Sequence, residues 1–197
     1  MAAYDLEEQE QVENLKAWWK QYGNLAVGCV CALALAVAGW TAWNGHQARQ
    51  AAQSGEIYAA LQQAIGKNDS VQVRGLTGEL TDKYGNTSYA SMGVLLAARH
   101  AIGAGDAKTA RAQFAWVVEH GKDEFADIAR LRLAGLLLDE HEYDEAMKWL
   151  ARPPAAAFAA SYAELRGDVF LAQEKVAEAK AAWQEARDLL EKNNEKA

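Results

Sequence analysis

The side chains that most often perform chemistry are few in this chain and poorly spaced for it. Only two cysteines occur, Cys29 and Cys31, and both fall inside an uncharged apolar run. On a helix turning about 100° per residue, an i, i+2 pair points to different faces, so these two neither close a disulfide nor share one metal. The four histidines, His46, His100, His120 and His141, have no i, i+4 spacing and build no helical metal site. The G-x-S-x-G, H-E-x-x-H and phosphate-loop patterns are missing, and Gly103-Ala104-Gly105 lacks the third glycine and the preceding strand of a dinucleotide fingerprint. Acids gather at Asp139, Glu140, Glu142, Asp144 and Glu145, in the pattern of a solvated loop and a first helical turn, where carboxylates meet the positive end of the helix. Asn68-Asp69-Ser70 and Asn86-Thr87-Ser88 match a glycosylation acceptor pattern that is too common to carry weight. No catalytic, cofactor-binding or metal-ligating residue is assigned, and no small-molecule substrate is expected. Function must then lie in surfaces, and the elements that present them come next.

The first such element is apolar. Residues 25–43 carry no charge, and 19 residues at 1.5 Å per residue span roughly 28 Å, close to the hydrocarbon thickness of a bilayer. Trp18, Trp19 and Tyr22 precede the run, and Trp40 and Trp43 close it, as rings that prefer the headgroup zone would. Lys16 and Lys20 flank the N-terminal end, while Arg49 is the one base near the other, so the positive-inside rule places the N-terminus in the cytoplasm. Cleavage after Ala38, in the sequence Ala36-Val37-Ala38-Gly39, is the rival reading. A long acidic leader and an apolar run that continues to Trp43 favour an uncleaved anchor. Gly28, Ala32 and Ala36 repeat every four residues as a small-residue stripe, a candidate face for a partner helix within the span. Val12, Leu15, Trp19 and Tyr22 fall on one helical face of the tail, which is expected to lie along the membrane surface.

Length and charge bound the remainder. With 197 residues the chain has room for one compact domain besides the anchor. Its net charge of −7 has no clustered basic face, which argues against nucleic acid. Beyond Trp43 the sequence is rich in Ala, Leu, Glu, Lys and Gln, with prolines only at 153 and 154, and it reads as all helix. Breaks are predicted at Gly66 to Asp69, Gly85 to Thr87, Gly103 to Asp106, His120 to Asp123, Asp139 to Glu142, Arg152 to Pro154 and Ala172 to Lys175.

The pieces between these breaks repeat. Ala98, Ala101, Gly105, Ala110 and Phe114 form one set, followed by Ala134, Leu137, Tyr143, Ala146 and Leu150, then Gly167, Phe170, Val176, Ala179 and Trp183. The small residues at which paired helices cross, Ala110, Ala146 and Ala179, lie 36 and 33 positions apart, near the period of about 34 of tetratricopeptide repeats. Trp116, Trp149 and Trp183 recur at similar intervals and read as core. Segments 48–65 and 70–84 form a further, degenerate pair that caps the array. The expected fold is therefore all-α: a single N-terminal transmembrane helix followed by a tetratricopeptide-like helical-repeat solenoid. Its expected parts are a cytoplasmic tail (1–24), the span (25–43), a linker and first helix (44–67), the repeats (68–192) and a C-terminal tail (193–197). Such a solenoid has a concave surface lined by the first helix of each pair, suited to an extended or helical peptide. Met92, Leu95, Arg99, Leu131, Arg132, Leu138, Glu164 and Asp168 fall on or near that surface.

The residues also resemble a known family. Glu10-Gln11-Val12-Glu13-Asn14-Leu15-Lys16-Ala17-Trp18-Trp19, then Gly23, Leu25-Ala26-Val27-Gly28, Gly39-Trp40, Trp43-Asn44 and His46-Gln47 closely resemble the YfgM family of Gram-negative bacteria. Leu165-Arg166-Gly167-Asp168, with Ala179 and Trp183, looks like that family's last repeat. The resemblance implies an inner-membrane, single-pass protein with a cytoplasmic N-terminus and a periplasmic domain. It also implies association with the SecYEG translocon and with the membrane-anchored periplasmic chaperone PpiD, in assisting secreted or envelope proteins. The alternatives are a structural scaffold or assembly factor of the cell envelope, or a stress-response regulator. The family supplies no catalytic residues to carry over.

Overall fold

The computed structural model describes the backbone of residues 2–122 and 124–194, and the side chains of residues 13–25, 27–122 and 124–193. Met1 of the expected tail, the expected turn residue Asp123, the side chain of Val12 and residues 195–197 lie outside that description.

Among the described residues eight α-helices follow one another: α1 (Ala2–Gly66), α2 (Ser70–Tyr84), α3 (Ser88–Gly103), α4 (Ala107–His120), α5 (Glu124–Asp139), α6 (Tyr143–Leu150), α7 (Ala159–Ala172) and α8 (Val176–Asn194), with a 3-10 turn at Ala156–Phe158. Among the described residues there is no strand. Their ends follow the chemistry of the predicted breaks. Asp69, Thr87 and Asp106 are N-caps whose side chains accept hydrogen bonds from the backbone N–H of Gln72, Ala90 and Thr109, at 3.0, 3.2 and 3.0 Å. Each such cap is worth about 1 kcal/mol, because it satisfies a donor that the helix itself leaves open.

Internal contacts divide the chain into two units, Met1–Arg49 and Gln50–Ala197. In the first unit, every described residue from 24 to 49 is exposed, including Leu25, Leu33, Leu35, Trp40 and Trp43. Burying one such side chain is favourable by roughly 1.5–3 kcal/mol, so this surface calls for an apolar surrounding. The helix is long and apolar enough to cross a membrane. Its backbone groups bond within the helix, as hydrocarbon demands. The one hydroxyl in the run, Thr41, donates to the carbonyl of Ala38 at 3.0 Å. The helix continues through residues 22–25 without a break. Gly23, the only buried residue among those described in this unit, sits beneath the Trp19 indole, and Trp18 lies against Tyr22 with ring centroids 5.9 Å apart.

The second unit is a row of four helical hairpins made by the end of α1 with α2, α3 with α4, α5 with α6, and α7 with α8. One turn geometry joins all four. A residue in the left-handed region, Asn68, Gly105, His141 or Glu174, ends the first helix. The next N–H then donates to a carbonyl five residues back: Asp69 to Ala64, Asp106 to Ala101, Glu142 to Leu137 and Lys175 to Phe170, at 2.8–3.0 Å. This is the 6→1 bond of a Schellman turn. The pair read from the sequence as degenerate shares this turn with the other three.

Small residues sit where the paired helices cross. Ala98, Ala110, Ala134, Ala146 and Ala179 are fully buried, and a Cβ added at Gly167 would overlap the Trp183 indole. At Gly93 it would run into Leu80 between the first and second hairpins. Phe114, Leu133, Leu137, Leu150, Tyr162 and Val169 fill the core over the last three hairpins, and Leu61, Val73 and Leu80 fill that of the first. Trp116 and Trp149 pack partly buried against these cores.

Candidate functional site

The concave positions named above occupy three first helices: Met92, Leu95 and Arg99 on α3, Leu131, Arg132 and Leu138 on α5, and Glu164 and Asp168 on α7. Three of them come together. Leu95, Arg99 and Arg132 line a groove of about 440 Å³ with Ile102, Ile128 and Phe114. On α3 the lining residues stand at i, i+4 and i+7, on α5 at i and i+4, so each helix presents one face, while Phe114 rises from α4 as the buried floor. Met92 is exposed on α3 but does not line this groove. Leu131 and Leu138 are half-buried against the core, and Glu164 is exposed on α7. Asp168 is half-buried and accepts a hydrogen bond from Trp183 Nε1 at 3.1 Å. Ile102 and Ile128 were not read from the sequence. Ile102 stands beside the turn glycine Gly103, where an apolar residue resembles a helix end, and Phe114 was assigned to the helix crossing alone.

The charged groups of this unit are unevenly matched. Arg111 on α4 holds Glu142 with two bonds at 3.0 and 3.1 Å and Glu145 at 2.8 Å, with Glu140 at 3.6 Å. These carboxylates raise the Arg111 pKa further above its ordinary value, and the guanidinium holds Glu142 below the usual carboxylate range. Three acids of the cluster read as solvated therefore bind the second hairpin to the third. Arg166 on α7 holds Glu185 on α8 at 2.9 and 2.8 Å. By contrast, among the described residues no carboxylate lies within 4.0 Å of Arg99 or Arg132. The groove thus offers an apolar floor and two exposed guanidinium groups with free donors.

A buried polar centre, without a local signal in the sequence, lies around Asp127. Asp127, 5% exposed, pairs with Arg130 and accepts from the N–H of Ala155 at 2.8 Å, while the Tyr162 hydroxyl donates to the Asp127 carbonyl at 3.0 Å. Burial pushes the Tyr162 phenol up from its ordinary pKa. This centre fixes the Pro153-Pro154 connection and α7 against α5. Among the described residues no group of three or more His, Cys, Asp or Glu side chains is placed to hold a metal.

In the span, Gly28, Ala32 and Ala36 are exposed, and a Cβ at Gly28 would meet nothing within 4 Å. The stripe is open to an approaching helix.

Comparison with known proteins adds three findings. Residues 16–197 match the family described as tetratricopeptide repeat-like domain. The chain is 31% identical over 181 residues to the ancillary SecYEG translocon subunit of Neisseria gonorrhoeae, covering 91% of this chain and 86% of that one. The protein of the same name from Haemophilus influenzae is 26% identical, covering 94% and 91%, and that from Escherichia coli 28%, covering 90% and 85%. Among solved structures, residues 41 to the end of MamA from Desulfovibrio magneticus superpose with a TM-score of 0.54 at 22% identity, over 69% of this chain and 75% of that one. That likeness speaks to the fold.

Proposed function

Since the chain belongs to the YfgM family of ancillary SecYEG translocon subunits, with its tetratricopeptide repeat-like domain, we propose that it is a non-catalytic interaction module held in the inner membrane by residues 25–43. It associates there with the SecYEG translocon. The observation that carries this reading is the 31% identity to a translocon subunit over 91% of the chain, which takes in span and repeats together. The exposed apolar helix supports the anchor, and the groove with its unpaired arginines supports binding without chemistry. In this reading the N-terminus is cytoplasmic and the repeats are periplasmic, where they meet PpiD and assist secreted and envelope proteins as they emerge. Gly28, Ala32 and Ala36 would face a partner helix inside the bilayer.

Photocrosslinking amino acids placed at Ala32 and at Arg99 in native membranes test it. Translocon subunits are expected from the span and PpiD or a client from the groove, whereas recovery of unrelated complexes alone would count against the reading. Orientation is checked with Cys29→Ser and Cys31→Ser combined with Lys192→Cys: a membrane-impermeant maleimide should label intact spheroplasts. The intact mass of the mature chain decides cleavage after Ala38.

A further inference from the structure

Arg99 and Arg132 stand apart from the arginines that hold this unit together. Arg111, Arg130 and Arg166 each have a carboxylate partner, in a chain where acids outnumber bases by 27 to 20. Among the described residues of this unit Arg74 and Arg152 also lack a carboxylate within 4.0 Å, but Arg99 and Arg132 alone flank the groove. Arginine presents a planar fork of donors that matches a carboxylate with two parallel bonds and is less strongly hydrated than lysine. Beside the two arginines the groove is lined by half-buried Leu95 and Ile128, exposed Ile102 and the buried ring of Phe114, which offer an apolar seat to a large aliphatic side chain. The groove lies between two first helices, so a chain crossing it passes over both. Its volume falls in the range of about 300–1,000 Å³ typical of ligand sites.

Resting on the reading that the repeats bind segments of other proteins, we propose that the α3–α5 groove takes an extended acidic segment, in which aspartate or glutamate side chains stand beside large aliphatic ones. Side chains at i, i+2 and i+4 share one face of an extended segment, so carboxylates at i and i+4 pair with Arg99 and Arg132 while the aliphatic side chain at i+2 enters the apolar floor. A neutral segment would gain only the floor, and a basic one would meet two like charges. Selectivity therefore comes from the rim and affinity from both.

The test uses the full chain in lipid nanodiscs and a fluorescein-labelled peptide, Gly-Ser-Asp-Ser-Leu-Ser-Asp-Ser-Gly, with both ends blocked, followed by fluorescence anisotropy. It should bind at least about tenfold more tightly than the same peptide with asparagine for aspartate, the scale of about 1.4 kcal/mol that a charge-assisted bond supplies. Raising salt should narrow that gap. The double variant Arg99→Ala/Arg132→Ala should lose it, and Arg99→Glu/Arg132→Glu should shift preference to a lysine-leucine peptide. Both arginines are exposed, so circular dichroism should show unchanged helix content. Equal binding of the aspartate and asparagine peptides, no binding of either, or a preference surviving in the double alanine variant would overturn the proposal. Binding confined to a peptide with a free C-terminus would overturn it too, since the end carboxylate would then be the ligand. Translocon crosslinks from Ala32 that persist through any of these failures leave the interaction-module reading standing.

Discussion

Asp127 joins three parts of the chain: its carboxylate holds Arg130 and the N–H of Ala155, and its carbonyl takes the Tyr162 hydroxyl. Asp127→Ala would leave a largely buried guanidinium and a backbone donor unpaired, and should cost about 3–5 kcal/mol in urea unfolding monitored by circular dichroism. Tyr162→Phe removes only the bond to the carbonyl and should cost about 1 kcal/mol. Because burial raises the Tyr162 pKa in the folded state, that contribution is complete below the phenol's ordinary pKa near 10 and is lost as pH rises through the folded value. Tyr162→Phe should therefore blunt the loss of stability above pH 10. Nothing in the sequence marked Asp127, because a carboxylate one turn into a helix looks like any other that favours the helix start. Only the path of the chain after Pro154 brings Ala155 and Tyr162 to it. Arg99 and Arg132 were legible because the repeat register assigns each a face, whereas Ile128 was not, since its lining role depends on how α3 and α5 are set against each other.

The four hairpins share a turn, and the turn has an energetic preference. A non-glycine residue in the left-handed region costs about 1–2 kcal/mol, least for asparagine. Glu174, at φ 62°, carries that cost where Gly105 does not. Glu174→Gly should accordingly raise stability by about 1 kcal/mol, and Gly105→Ala should lower it by a similar amount, read as shifts in the urea midpoint. Between hairpins, Glu142 is held low by Arg111, so its contribution is present above the ordinary carboxylate pKa near 4.5 and is lost as pH falls through the lower folded value. The melting temperature should drop less between pH 7 and pH 3 in Arg111→Gln than in the parent chain. Most helix boundaries were legible because Gly, Asp and Thr at turns and caps are local signals. The first hairpin is harder to read because Leu61 and Val73 stand at its crossing in place of the small residues that mark the others, and Thr77 in place of the bulky Phe114, Leu150 and Trp183, yet its backbone turn is the same.

Across the whole molecule, the two units rest on different solvents. The described side chains of residues 25–43 are all exposed, so stability of that helix depends on the surrounding lipid. Leu35→Arg near its middle should cost about 2.5–3.5 kcal/mol of insertion and shift the protein toward the soluble fraction in carbonate extraction. The repeats hold their own cores, each hairpin leaning mainly on its neighbours, and such arrays come apart from their ends. Pulled from the C-terminus in an optical trap, the unit should give up α8 first. Release of α7 must then break the Tyr162 bond, and release of the following connection must break the grip of Asp127 on Ala155. The Asp127 centre is thus a ratchet stop between the last hairpin and the third: the force trace should hesitate there, and Asp127→Ala should merge the two steps into one.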